Sequence, residues 1–130
     1  MIGLFTCFGG AAYGMAAAKA CMRLWEEYPS DIKIICLSSV AADVREIIEA
    51  YKTRYDTIVV LDGCETQCAS KIIRESVLEP KKEIIITKLV GKKKKAGLPT
   101  PSDEEETYNH IRSELIEFLP KLAPACVCLE

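Results

Sequence analysis

The sequence has little that would point to nucleic acid, membrane or acid–base chemistry. Its formal net charge is −2, and a nucleic-acid footprint needs a clearly basic domain. No unbroken apolar run is long enough to span a bilayer. The N-terminal stretch "MIGLFTCFGGAAYGMAAAKACMRL" has no basic residue ahead of its apolar part, and Gly9, Gly10 and Gly14 interrupt it. It reads as strand, loop and helix of the mature fold rather than a signal peptide, which sets the expectation of a cytoplasmic protein. The single histidine, His110, lies beside the apolar stripe of the last helical segment and reads as a surface residue. With it goes any Ser–His–Asp constellation, and no paired carboxylates stand at strand ends. There is no internal repeat.

Cysteine is not scarce. The chain has 7 in 130 residues. An odd number without an export signal argues against a disulfide framework. What remains is buried small hydrophobes, metal ligands or reactive thiols.

Length and composition suit one α/β domain, residues 1–123, with a tail at 124–130. Four apolar runs, Ile2–Phe8, Ile32–Ser38, Thr57–Asp62 and Glu83–Val90, are rich in Ile and Val with little alternation. Strands buried on both faces of a parallel sheet read this way. Helical patterns fall between them. Residues 11–28 are rich in helix formers up to Pro29. Val40, Val44, Ile47, Ile48 and Tyr51 share one helical face, and Ala69, Ile72, Ile73 and Val77 repeat the pattern. After the core at 2–90, "GKKKKAGLPTPSDEEE" reads as a solvated loop over 91–102, and a last helix is expected over 103–122, capped by Ser102 or Asp103. The alternation predicts a three-layer fold: an open parallel β-sheet of about four strands with helices on both faces, Rossmann-like or flavodoxin-like.

On this frame Cys7 and Cys36 fall at the ends of the first two strands. Cys64 directly follows the third, and Cys68 lies in the first turn of the next helix. Strand C-termini share one edge of a parallel sheet, where ligands bind. With strand order 2-1-3-4, Cys7 and Cys64 flank the switch point. If Cys64 and Cys68 both lie on the helix, their i, i+4 spacing puts them on one face, as two ligands of one ion would be. Four thiolates together repel, by roughly 4 kcal/mol for each pair about 4 Å apart at an effective dielectric near 20. Tetrahedral zinc is the commonest relief. Asp62 and Gly63 fit the same place: glycine lets the chain turn off the strand, and the acid either caps the following helix or holds amides around a ligand sulfur.

Other motifs fail. The arginine of a C-x₅-R phosphatase loop would stand at Tyr13, and "GGAAYG" followed by Met15 is no phosphate-binding loop. Cys21 reads as core, and Cys126 and Cys128 form a C-x-C in the tail.

The blocks "TCFGGAAYGMAAAKA", "IICLSSVAAD", "VVLDGCETQCASKII" and "IIITKLVGKKK" resemble, in order, those of the DGC-domain family, proteins proposed to bind zinc and named for the Asp-Gly-Cys tripeptide found here as Asp62-Gly63-Cys64. The resemblance carries over Cys7, Gly9, Cys36, Cys64 and Cys68, and implies that the cysteines among them are metal ligands. Departures fall in the loops around them: Phe8 where the family usually has a small residue, Glu65 in place of proline, Ser38, Ser39 and Val40 in place of glycines, and Lys88 in place of an acid.

The sequence therefore sets up a zinc-binding protein with Cys7, Cys36, Cys64 and Cys68 as ligands and Asp62, Gly63 and Gly9 around them. Its role would be structural or in metal handling. A closed sphere of four thiolates leaves no open position, which leans away from catalysis. The alternatives are a thiol–disulfide or sulfur-transfer protein using Cys64 with Cys68 or Cys7, and an iron–sulfur protein. A protein partner could dock on the lysine loop and last helix.

Overall fold

Four short parallel strands carry the chain: β1 (Ile2–Thr6), β2 (Ile32–Ile34), β3 (Thr57–Asp62) and β4 (Lys82–Ile85), in the order β2-β1-β3-β4. They come from a computed structural model that describes residues 1–124. Cys126 and Cys128 lie outside the described residues. The expected strand order and three-layer arrangement are those observed.

Successive residues of a strand point to opposite faces, and each face meets its own helices. Leu4, Val59 and Leu61 pack with Tyr13, Ala17, Cys21 and Leu24 of α1 (Ala12–Glu27) and with Tyr108, Ile111 and Leu115 of α6 (Pro101–Leu115). Phe5, Ile58 and Val60 pack with Val40 of α2 (Leu37–Ala41), Ile48 of α3 (Arg45–Arg54) and Ala69 and Ile73 of α4 (Cys68–Arg74). Each fully buried Leu, Ile or Phe contributes about 1.5–3 kcal/mol of transfer free energy, so the central strands anchor both layers. Cys21 is wholly buried, and desolvation raises its thiol far above the ordinary range. It is a core residue, as its place in the helical pattern suggests.

Several elements are shorter than the apolar runs implied. The second run is strand only to Ile34, and Leu37 already starts α2. The fourth run stops being strand at Ile85 and turns into α5 (Ile86–Val90), where the Thr87 N–H donates to the Gly63 carbonyl at 3.3 Å. An Ile/Val run buried all round does not distinguish strand from helix, which is why the boundary was invisible. The face Val40–Tyr51 is two helices, not one. Asp43 adopts a left-handed φ of 55°, and the N–H groups of Asp43 and Val44 reach back to Val40 and Ser39, a Schellman closure. The last helix begins earlier than expected. Thr100 is its cap, with Pro101 in the first turn, and Thr100 and Asp103 exchange side-chain hydrogen bonds as a capping box. It ends at Leu115, before a 3₁₀ turn at Pro120–Leu122. No helix among the described residues is long and apolar enough to cross a membrane.

Candidate functional site at the sheet edge

The C-terminal ends of β1 and β3 lie side by side, since Thr6 pairs with Leu61 and the Cys7 N–H donates to the Leu61 carbonyl at 3.1 Å. Beyond this point the two chains part, as they must at a switch point, and a cleft of about 430 Å³ opens. Cys7, Cys64 and Cys68 all line it, with Gly9, Gly10, Gly14, Asp62 and Gly63 among its walls.

Gly63 makes the cleft possible. A Cβ on it would stand 2.4 Å from the Gly14 nitrogen and 2.6 Å from the Gly14 Cα, so only glycine lets β3 pass the first turn of α1. Its N–H donates to Cys7 Sγ at 3.3 Å. Gly14 closes the same contact from the other side, where an added Cβ would lie 3.2 Å from that sulfur. The Cys7 thiol is thus held between two backbones.

Asp62 caps the following helix, but from a distance. Its carboxylate is buried and accepts from the N–H groups of Ala69 (2.8 Å) and Ser70 (3.1 Å) and from the Ser70 hydroxyl (2.6 Å). This capping residue lies at the end of β3 and not beside α4, and it folds the intervening turn over the cleft. Gln67 precedes the helix with a left-handed φ of 54°. Cys64 therefore sits in the turn, outside α4, while Cys68 is the first helical residue. The shared helical face imagined for the pair does not form.

The same cap changes the electrostatics. With a carboxylate already on the α4 amides, the helix terminus is not what favours a thiolate at Cys64. The Cys64 thiol donates to Thr66 Oγ1 at 3.4 Å. Its pKa is lowered chiefly by hydrogen bonds from the Thr66 hydroxyl and backbone, then by the charge of Lys94, with burial and Asp62 opposing.

Cys36 stands apart. It lines a neighbouring recess of about 590 Å³ with Cys7, Phe8, Leu37, Ser38 and Ile72, and it is not among the residues lining the cleft. Among the described residues, Cys7 is the cysteine that borders both spaces. Cys36 caps α2, its N–H donates to the Tyr51 hydroxyl at 2.8 Å, and its sulfur is 3.0 Å from Ser38 Oγ. Hydrogen bonds from Ser38 and then Ser39 pull its pKa down to about 7. Ser38 and Ser39 are thus the groups that ease ionisation of Cys36.

Phe8 has a left-handed φ of 46° and is 56% exposed. That backbone region disfavours bulky side chains, which gives a physical reason for a small residue at this position.

The donor chemistry suits a borderline-soft ion, the donors being cysteine sulfurs. The spacing does not: among the described residues no three Cys, His, Asp or Glu side chains are gathered closely enough to hold one ion. The donors surround the cleft without converging on a point.

Lysine positions were the part of the site that sequence reasoning missed. The loop 91–102 is exposed but tied down: the Lys95 carbonyl accepts from the Ala12 N–H at 3.0 Å, and Ala96 bridges Ala11. Lys94 is thereby brought to the cleft wall. Nothing in a short lysine run signals this. Gly14 could have been found, because a glycine inside an alanine-rich helix weakens it by about 1 kcal/mol unless a close approach requires it.

No curated protein and no solved structure matches the chain. The model of the DGC domain matches residues 3–111, from β1 into α6, and spans every cysteine of the sheet edge. The chain belongs to the DGC-domain family.

Proposed function

We propose that the chain binds zinc in the cleft between β1 and β3, with Cys7, Cys64 and Cys68 as thiolate ligands and a role in metal handling. The observation that carries this reading is that Cys7 from one part of the chain and Cys64 and Cys68 from another line one cleft at the switch point of the sheet. Family membership supports it. The three-thiolate set differs from the closed four-cysteine sphere in leaving one coordination position to something other than the protein. The Gly63 N–H, already directed at Cys7 Sγ, would stabilise that sulfur as a thiolate. Asp62 would hold the turn that carries Cys64 and the start of α4 that carries Cys68. Since the donors do not converge in the metal-free chain, uptake of the ion would draw the turn inward, coupling binding to local folding. Free thiols that are exposed or half-buried suit a reducing compartment such as the cytoplasm.

A second reading, thiol–disulfide or sulfur-transfer chemistry, is favoured by the low pKa of Cys36, about 7. Thiol titration with and without a chelator separates the two. The zinc reading expects the cleft thiols of metal-loaded protein to react slowly until the ion is removed. The redox reading expects immediate reaction and a reversible disulfide.

A further inference from the structure

The cleft is far larger than an ion needs: about 430 Å³, against the about 30 Å³ that one water takes up in the liquid. Lys94 lies on its wall in a segment that is fixed on both sides. Lys92 Nζ is 2.8 Å from a Glu106 carboxylate oxygen, and Lys95 Nζ is 2.5 Å from Asp103. The backbone at Lys95 and Ala96 is bound to α1 and to Ala11. Lys92 and Lys95 therefore use the acids of α6, while Lys93 and Lys94 make no ion pair among the described residues, and of those two Lys94 is the one on the cleft wall. Asp62, the other charged side chain on the wall among the described residues, has both oxygens engaged by α4. No arginine among the described residues lines the cleft, so there it lacks the fork that grips a multiply charged group such as phosphate. A single point charge suits a single carboxylate, and the glycine and alanine walls suit a short organic body.

We propose that the cleft binds a small organic monocarboxylate, its carboxylate at Lys94 and its body against the Cys64 thiol. This site goes beyond the zinc reading and does not rest on it, because Lys94 is in place in the metal-free chain. The test uses two alkylating probes of nearly equal size on metal-free protein: iodoacetate, which carries the carboxylate, and iodoacetamide, which does not. In each, the thiolate sulfur displaces iodide. The ratio of the two rates at Cys64 cancels the thiolate fraction and reports recognition of the carboxylate alone. At low salt the ratio at Cys64 is expected to exceed that at Cys36 about tenfold, in the range over which a local charge raises association rates. Lys94→Gln should bring the two ratios within about twofold, and added propionate should slow labelling of Cys64 by iodoacetate. Equal ratios in the unmodified protein, or a preference that survives Lys94→Gln, would overturn the proposal. Zinc content measured on the same Lys94→Gln variant separates its failure from that of the metal reading, since Lys94 is not among the proposed ligands.

Discussion

The two spaces that flank the end of β1 are built by different means. The cleft depends on contacts between distant parts of the chain: Gly63 against Gly14, the Gly63 N–H to Cys7 Sγ, and buried Asp62 reaching into α4. The recess around Cys36 is also lined by Cys7, Phe8 and Ile72, but its thiol is held by neighbours in sequence, Ser38 and Ser39, with the Cys36 N–H on Tyr51. The cleft thus exists only in the folded domain, its floor fixed where Gly63 meets Gly14 and Cys7. The recess is a local cap whose thiol is tuned by side chains that can be exchanged without disturbing the core.

The most severe way to break this contrast is Gly63→Ala. The new methyl would overlap backbone atoms of α1 that cannot move aside. The expected loss is about 3 kcal/mol or more, read by urea unfolding. Gly10→Ala, which meets no heavy atom within 4 Å, is the matched control and should change stability by less than about 0.5 kcal/mol. A smaller effect is expected from Asp62→Asn. The amide keeps the shape but cannot accept all three hydrogen bonds, at a cost of about 1–3 kcal/mol. Proteolysis should then cut first in the turn around Cys64 and spare the Cys36 recess.

Much of this architecture could be read from the residues in advance. Parallel strands show as runs without alternation, and the strand order 2-1-3-4, taken as a condition for placing the switch point between β1 and β3, is the one observed. The edge position of Cys7, Cys36 and Cys64 came with that frame. What could not be read was how one edge divides into two spaces. That division rests on backbone angles at Phe8 and Gln67 and on a carboxylate that caps a helix seven residues away, and neither leaves a pattern in residue type. The break at Asp43 was hidden for the same reason, since its apolar neighbours keep a helical period across it.

The mildest change addresses the recess. With its pKa near 7, Cys36 is about half ionised at neutral pH, and its alkylation rate should rise through a midpoint near pH 7. Ser38→Ala removes the leading hydrogen bond to the thiolate, so the midpoint should move up toward the ordinary thiol value while stability stays within about 0.5 kcal/mol. Mass-spectrometric alkylation profiles across pH check this. An unmoved midpoint would mean that the serines do not set the ionisation of Cys36.

The central claim is that the metal belongs to the cleft and not to the recess. Elemental analysis of metal-replete protein, beside Cys64→Ser and Cys36→Ser variants, tests it most directly. The account predicts about one zinc per chain in the unmodified protein and in Cys36→Ser, with at least tenfold weaker retention in Cys64→Ser. Zinc-free protein after loading, or equal retention by Cys64→Ser, would contradict it.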